Sequence, residues 1–253
     1  PELFILERSI KNGQLIKGIN LEGLRVMGNP NDFAKKYYKD GADELIFMDL
    51  VASLYNRNSL HEIIKLACED IFIPFTVGGG IRSLDDALKI FDSGADKISL
   101  NTNAVQNPEI LSILSKRFGS QAIVLSVEAK KKQKDKWDVY VESGREKTDL
   151  DVIDWVKRAQ DLGIGEILLT SVDQEGTTEG FDIDLIKSVT NNVDVPVIAS
   201  GGFGKLDDLE KAVKIGGADA VAMAHVLHYE KISLRDIRKK AIELNLDVRK
   251  FNQ

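Results

Sequence analysis

The feature that most constrains the fold is a segment that occurs twice, about half the chain apart. The first copy, IPFTVGGGIRSLDDALKIFDSGADKISLNT, covers residues 73–102, and the second, VPVIASGGFGKLDDLEKAVKIGGADAVAMAH, covers residues 195–225. Each copy predicts a strand, a glycine turn, a helix, a second glycine turn and another strand. Pro74 pairs with Pro196, and Gly94 pairs with Gly217 after one inserted residue. The chain is therefore predicted to be a duplicated half.

The rest of the sequence completes a pattern of eight short apolar strands, each followed by a helix. Six strands are predicted at residues 3–8, 44–49, 75–77, 97–100, 122–128 and 166–170, and the second copy supplies two more. The strands do not alternate apolar and polar residues, so both faces are expected to be buried. Regular βα repetition requires parallel pairing with right-handed crossovers.

We therefore predict one domain over residues 1–253, a single (β/α)8 TIM barrel built from two duplicated half-barrels. An open doubly wound sheet is the alternative, and the absence of a GxGxxG motif in the first unit disfavours it. Two segments are expected to lie outside the barrel pattern. Residues 14–18 form a hairpin arm or a mobile loop, and WDVYVES at 137–143 forms a half-exposed hairpin arm after strand five.

Composition excludes several classes of function. The net charge is −6, and no cluster of Lys or Arg is interleaved with aromatic residues, so no nucleic-acid partner is expected. No apolar segment approaches the roughly 20 residues of a membrane helix, and no secretory signal is visible, so no membrane association is expected. Cys68 is the single cysteine, which prevents an internal disulfide and is typical of a cytoplasmic protein.

The glycine turns after strands three and seven are candidate phosphate sites. Active sites of such barrels lie at the C-terminal ends of the strands, and backbone N–H groups in glycine turns and at helix N-termini favour anions. Two such turns at equivalent strands predict two phosphates on opposite sides of the mouth, and therefore a bisphosphorylated small-molecule substrate. The alternative is that both are tight turns with no ligand.

Four segments resemble one known family. VGGGIRS, GADKISLNT, GEILLTSVDQEGT and ASGGFGK are similar to the cyclase subunit of imidazole glycerol phosphate synthase, the HisF family, and the similarity extends over almost the whole chain. The resemblance implies a (β/α)8 barrel in a heterodimer with a HisH-like glutaminase. Ammonia from that partner would cross the barrel and, at the far mouth, cleave and cyclise a bisphosphorylated aminoimidazole ribonucleotide.

The resemblance also implies the substrate-binding residues. Phosphate and substrate contacts would come from Gly80, Asn101, Thr102, Asp173, Gly176, Thr177, Gly202, Ala224 and His225. His225 stands where the family usually has a small hydroxyl residue. His225 and His228 have no clustered carboxylate or cysteine set, so neither a metal nor a cofactor is expected.

The family's two catalytic aspartates fall on Ser9 and Glu128, and Lys17 matches a lysine of its mobile first loop. A serine has no carboxyl proton to transfer, and losing a positioned acid or base lowers a rate by about 10²–10⁴-fold. Glutamate in place of aspartate moves the carboxyl by one methylene, and misplacement near 1 Å lowers a rate by roughly 10²-fold. The replacements at Ser9 and Glu128 therefore predict that standard cyclase turnover is impaired or absent.

Charged residues begin the even-numbered strands two, four and six: Glu44, Lys97 and Glu166. Residues from alternate strands share a layer inside a barrel, where charges must be paired; the alternative is that these side chains point out to solvent. In the family these positions belong to a charged gate through which ammonia enters. Leu3 stands where that gate has an arginine, so the gate is predicted to be modified but kept.

Three functions remain open from the sequence. The first is the standard lyase of histidine biosynthesis. The second is a paralogue that conducts ammonia from a glutaminase to a sugar amidotransferase, in the synthesis of acetamidino sugars of surface polysaccharides. The third is a non-catalytic phosphate-binding scaffold. Because no nucleophilic Cys–His pair is available beyond Cys68, the ammonia must come from solution or from a partner.

Overall fold

The structure is a computed structural model, and it describes residues 4–11, 14–19, 22–49 and 58–249 of the chain. Its strands are β1 (Phe4–Lys11), β2 (Gln14–Ile19), β3 (Glu22–Gly28), β4 (Glu44–Asp49), β5 (Phe75–Gly78), β6 (Lys97–Leu100), β7 (Ile123–Gln133), β8 (Lys136–Val141), β9 (Glu146–Asp151), β10 (Glu166–Ser171), β11 (Val197–Ser200) and β12 (Ala220–Met223). Its helices are α1 (Pro30–Lys39), α2 (Asn58–Asp70), α3 (Leu84–Asp92), α4 (Thr102–Gln106), α5 (Glu109–Phe118), α6 (Val152–Asp161), α7 (Ile183–Thr190), α8 (Asp208–Glu210), α9 (His225–His228) and α10 (Leu234–Glu243). A 3₁₀ turn covers Ser120–Ala122, and a π-helical turn covers Lys211–Ile215.

Eight of the described strands form a closed parallel ring. The pairing runs from β1 through β4, β5, β6, β7, β10, β11 and β12, and β12 pairs with β1 again. Parallel neighbours need a crossover connection, and the helices between the ring strands supply it. The predicted (β/α)8 TIM barrel is confirmed, and the open doubly wound sheet is excluded. That residues 1–253 form one domain stays a prediction.

The two copies of the repeated segment fold alike. In the first, Asp96 Oδ2 accepts a hydrogen bond of 2.8 Å from the Phe75 backbone N–H at the start of β5. In the second, Asp219 Oδ2 accepts one of 2.9 Å from the Val197 N–H at the start of β11. Each aspartate thus ties the start of one ring strand to the start of the next. The two copies of the repeated sequence therefore make the same local contact.

Antiparallel additions extend two of the ring strands. β2 pairs with β1, and β3 pairs with β2, so the hairpin interpretation of residues 14–18 is confirmed. β8 pairs with the long end of β7, and β9 pairs with β8. The sequence did not predict β3 or β9. Helix α6 starts at Val152, because the Asp151 side chain caps it by accepting a hydrogen bond of 2.8 Å from the Ile153 N–H.

Apolar side chains form two separate cores. The larger lies between the ring and the helices, where Phe47 and Phe75 pack edge to face with ring centroids 4.6 Å apart. The smaller fills the middle of the barrel and consists of Ile46, Val124, Leu168, Ile198, Ala220 and Ala222, with Met48 against it. This inner layer separates the N-terminal end of the barrel from the mouth at the C-terminal end.

A buried ion pair fastens α10 to the start of β4. Arg238 Nη2 lies 2.7 Å from Asp43 Oδ2, and both side chains are buried; the half-exposed Arg249 adds a second contact to Asp43 at 3.0 Å. We expect Arg238→Ala to lower the free energy of unfolding by about 3 kcal/mol, because it leaves a buried carboxylate with a weaker partner. Chemical denaturation measures the loss.

The matched control for that prediction is Lys240→Ala on the same helix. Lys240 pairs at 3.0 Å with Asp207, whose side chain is exposed, and such surface pairs contribute about 0–1 kcal/mol. Equal losses in the two variants would show that burial of the Asp43 pair contributes nothing to stability.

Candidate functional site

A cavity of about 370 Å³ opens at the C-terminal ends of β4 to β7. Three carboxylate residues line it, Asp49, Glu128 and Glu142. The structure also brings to its wall three residues that the resemblance assigned to phosphate binding, Gly80, Asn101 and Thr102. The mouth therefore combines a glycine turn, amide and hydroxyl groups, and more than one carboxylate.

Glu128 is the carboxylate whose orientation is fixed best. The residue is 9% exposed, and its Oε2 accepts hydrogen bonds of 2.8 Å from Asn101 Nδ2 and of 2.8 Å from the Gly144 backbone N–H. Buried carboxylates are stable only when such donors satisfy them. The buried Oδ1 of Asn101 has no hydrogen-bond partner within the described part of the chain. A ligand that donates an N–H or O–H group can satisfy it.

In the glycine turn after β5, a side chain at Gly79 would collide with the backbone of β4. A Cβ on Gly79 would lie 2.2 Å from the Asp49 carbonyl oxygen, and the φ of Gly79 is 101°. Gly80 follows with a φ of 66°. Only glycine adopts this pair of conformations at little cost, and the turn brings its backbone against the cavity. Across the cavity, the Thr102 hydroxyl accepts a hydrogen bond of 3.2 Å from the Glu142 N–H.

The second group of predicted phosphate residues lies on the other side of the mouth. Gly176, Gly202, Ala224 and His225 line a narrow cleft of about 10 Å³ at the ends of β11 and β12. A Cβ on Gly202 would lie 2.0 Å from the Gly180 carbonyl oxygen, so packing of the chain against itself already requires glycine there. The cleft as it stands is smaller than a phosphate group.

Three other side chains near this cleft have contacts within the chain. Thr177 Oγ1 donates a hydrogen bond of 2.8 Å to the Gln174 carbonyl oxygen. Asp173 Oδ2 accepts one of 2.8 Å from the Lys131 N–H, which joins its loop to the end of β7. Lys231 Nζ lies 3.4 Å from His225 Nε2. A phosphate bound here would meet a cationic side chain beside His225.

At the opposite end of the barrel, three charged side chains meet in the interior. Lys97 Nζ lies 2.9 Å from Glu44 Oε2 and 2.8 Å from Glu166 Oε1, and Thr76 Oγ1 donates a hydrogen bond of 2.6 Å to Glu44 Oε1. Burial alone would lower the pKa of Lys97, but the charge of Glu44 and the hydrogen bonds to Glu166 outweigh it and raise the pKa. Lys97 thus pairs with both Glu44 and Glu166, the other two charged residues of the predicted gate; we call these three residues the ion triad.

Polar side chains lie beside the apolar inner core and between that core and the mouth. Side chains alternate along a strand, so Ser99 and Asn101 face the same way as Lys97. On β7, β10 and β11, the positions two residues after the inner apolar core are the buried Ser126, Thr170 and Ser200. The Ser99 hydroxyl has no hydrogen-bond partner among the residues that the structure describes. The interior of the barrel thus offers a series of hydroxyl groups.

Some predictions fall outside what the structure describes. Leu3 lies outside the described residues, as do the side chains of Ser9 and Lys17, whose backbones belong to β1 and β2. The turn between β8 and β9, whose residues Glu142 and Ser143 line the cavity, could not be recognised as part of the site from the sequence. The Ser143-Gly144 pair signals a turn, but nothing in it signals contact with Glu128.

The closed barrel, with a polar cavity at the C-terminal ends of its strands, has the form of a (β/α)8-barrel enzyme. A family model described as "Histidine biosynthesis protein" matches residues 9–233. In the described part of the chain, no helix has the length and apolar character needed to span a bilayer.

Relatives from several organisms carry the name "Imidazole glycerol phosphate synthase subunit HisF". That of Legionella pneumophila is 56% identical over 204 residues, 81% of this chain and 96% of the relative. That of Prochlorococcus marinus (strain MIT 9312) is 45% identical over 244 residues, 96% of this chain and 95% of the relative. That of Streptococcus mutans is 41% identical over 240 residues, 95% of this chain and 96% of the relative. The chain belongs to this histidine biosynthesis family and, within it, to the HisF subunits.

Proposed function

We propose that the chain is the cyclase-type subunit of an imidazole glycerol phosphate synthase. It receives ammonia from a HisH-like glutaminase at the N-terminal end of the barrel. It uses that ammonia on a bisphosphorylated aminoimidazole ribonucleotide at the C-terminal mouth. The observation that carries the proposal is the buried Glu128 carboxylate in the mouth cavity, beside the glycine turn and Thr102.

The chemistry of that arrangement fits ammonia transfer. The backbone of the glycine turn holds one phosphate of the substrate, which fixes the substrate's position relative to Glu128. Glu128 is held by two donors on one oxygen, so its orientation is set before the substrate arrives. A carboxylate in this position takes or gives the proton that must move when ammonia attacks and the ring closes.

The interior of the barrel supports passage of ammonia. The ion triad lies at the N-terminal end, and the hydroxyl groups of Ser99, Ser126 and Thr170 follow towards the mouth. Ammonia both donates and accepts hydrogen bonds, so a series of hydroxyl groups keeps it solvated between two ends of an otherwise apolar interior. The triad, like a gate, must open for ammonia to pass.

A second candidate function rests on Ser9. Because a serine at that position supplies no carboxyl group, the chain is also suited to delivering ammonia to another acceptor, such as a sugar amidotransferase. In that case the mouth binds a phosphorylated ligand without cyclising it. A non-catalytic scaffold would share the binding and lack both turnover and ammonia transfer.

The test is turnover of the aminoimidazole bisphosphate by the purified chain with ammonium salt and no glutaminase, beside a Ser9→Asp variant. We expect slow turnover by the unmodified chain, because ammonia from solution replaces the partner's supply while Ser9 supplies no carboxyl group at the first catalytic position. Binding of the same bisphosphate is measured separately by calorimetry.

Two results would redirect the assignment. Binding without turnover, with activity restored by Ser9→Asp, would favour the ammonia-delivering paralogue. Failure to bind the bisphosphate at all would remove the cyclase-type assignment.

A further inference from the structure

The turn between β8 and β9 forms one wall of the mouth cavity and has an unusual backbone. Glu142, Ser143 and Gly144 all have left-handed conformations, with φ values of 52°, 59° and 75°. Two of the three are not glycine, and such residues are held in this region only by strong surrounding contacts, which are commonest at functional sites.

Hydrogen bonds from this turn reach the residues of the site itself. The Gly144 N–H donates to Glu128 Oε2 at 2.8 Å, and the Glu142 N–H donates to Thr102 Oγ1 at 3.2 Å. Just before the turn, the Tyr140 carbonyl oxygen accepts a hydrogen bond of 3.4 Å from Asn101 Nδ2. The turn is thus fixed against both the catalytic carboxylate and the predicted phosphate residues.

The hairpin that carries the turn is anchored at its base as well. Trp137 on β8 is fully buried, and its Nε1–H donates a hydrogen bond of 3.0 Å to Asp182 Oδ2 at the start of α7. Lys132 and Lys147 both pair with Asp138, at 3.3 Å and 2.8 Å. A residue on the turn therefore has a defined position relative to the cavity.

We propose that Glu142 is a catalytic residue and supplies the second carboxyl group of the reaction site, where Ser9 supplies none. This inference rests on the proposed cyclase-type function. Acid–base chemistry with ring closure needs one group to take a proton and another to give one, and two carboxyl groups in different surroundings divide these roles.

The surroundings of Glu128 and Glu142 differ in the required way. Glu128 is buried and hydrogen-bonded, whereas Glu142 is exposed and lines the same cavity. Two residues of chain span at most about 7 Å, so the backbone of Glu142 stays near the Gly144 N–H that holds Glu128. A substrate in the cavity thus meets Glu128 from the barrel floor and Glu142 from the wall. Glu142 exchanges its proton with water between turnovers.

Asp49 is the competing carboxyl group, since it lines the same cavity at the end of β4. Asp49 is the last residue of the ring strand β4, and its backbone carbonyl oxygen lies next to Gly79 of the glycine turn. The test must therefore compare the two residues directly.

The experiment measures ammonia-dependent turnover and bisphosphate binding for the purified chain and for Glu142→Gln, Asp49→Asn and Glu146→Gln. Glu146 is exposed on β9 of the same hairpin and serves as the charge-matched control. We expect Glu142→Gln to lower kcat by about 10²–10⁴-fold with little change in binding, and Glu146→Gln to behave as the unmodified chain. Glu142→Gln should also remove one limb of the pH profile of kcat/KM, which a merely structural role would leave in place.

Activity within about threefold of the unmodified chain in Glu142→Gln would overturn the inference, as would loss confined to Asp49→Asn. Absence of turnover in the unmodified chain would overturn it too, because the inference requires Glu128 and Glu142 to suffice together. In that case the binding measurement tests the proposed function separately, because only a failure to bind the bisphosphate would remove the cyclase-type assignment. Turnover restored by adding Ser9→Asp to Glu142→Gln would support the inference that the carboxyl group of Glu142 takes the place of the one missing at position 9.

Discussion

Glu128→Gln should lower kcat for ammonia-dependent turnover by about 10²–10⁴-fold and change the Kd for the bisphosphate by less than about threefold. Glutamine has nearly the shape of glutamate. Two donors to the Glu128 side chain, Asn101 Nδ2 and the Gly144 N–H, bond to the same oxygen. The amide oxygen of glutamine can accept both, so the position of the side chain is kept. What is lost is the capacity to take up and release a proton.

The control for Glu128→Gln is Asn101→Ala, which keeps the carboxyl group and removes one of its donors. Without the Asn101 donor the carboxylate is less well oriented, although the Gly144 N–H still holds it, so a smaller loss of about 10-fold in kcat is expected. A larger loss in Asn101→Ala than in Glu128→Gln would contradict a proton-transfer role for Glu128. It would indicate that Asn101 contacts the substrate more strongly than the carboxylate does.

The ring strands could be predicted because the sequence itself marks where each one starts and ends. β4 and β6 have the predicted bounds, residues 44–49 and 97–100, since each is an apolar run that begins at a charged residue. β3 and β9 could not be predicted in this way. The sequence of β9, EKTDLD, is polar and lacks alternation, and it is a strand because β8 supplies its hydrogen bonds.

The same difference applies to the site. Glu44, Lys97 and Glu166 could be predicted to meet because each begins an even-numbered strand, and alternate strands share a layer. The contribution of the turn between β8 and β9 could not be predicted. It acts on Glu128 through the Gly144 N–H, a group that every residue except proline has, and side-chain identity does not indicate which one is used.

Lys97→Met is expected to lower the free energy of unfolding by about 3–5 kcal/mol at neutral pH, because it removes the ammonium group that lies between the carboxylates of Glu44 and Glu166. Their side chains are only 5% and 22% exposed, so water cannot replace the ammonium fully. Chemical denaturation measures the loss. The control is the triple variant Lys97→Met/Glu44→Gln/Glu166→Gln, which removes all the charges and should recover most of it.

The dependence of the unfolding free energy on alkaline pH is a second test of the ion triad. The pKa of Lys97 is raised in the folded chain, so the stability that it contributes is fully present below its unfolded pKa and is lost as pH rises through its folded pKa. The difference in unfolding free energy between the unmodified chain and Lys97→Met should therefore narrow above about pH 10.4, the ordinary pKa of lysine. A difference that stays constant at high pH would show that the positive charge of Lys97 is not what stabilises the barrel. In that case the triad would not be an electrostatic barrier, and opening it for ammonia would not require separating charges.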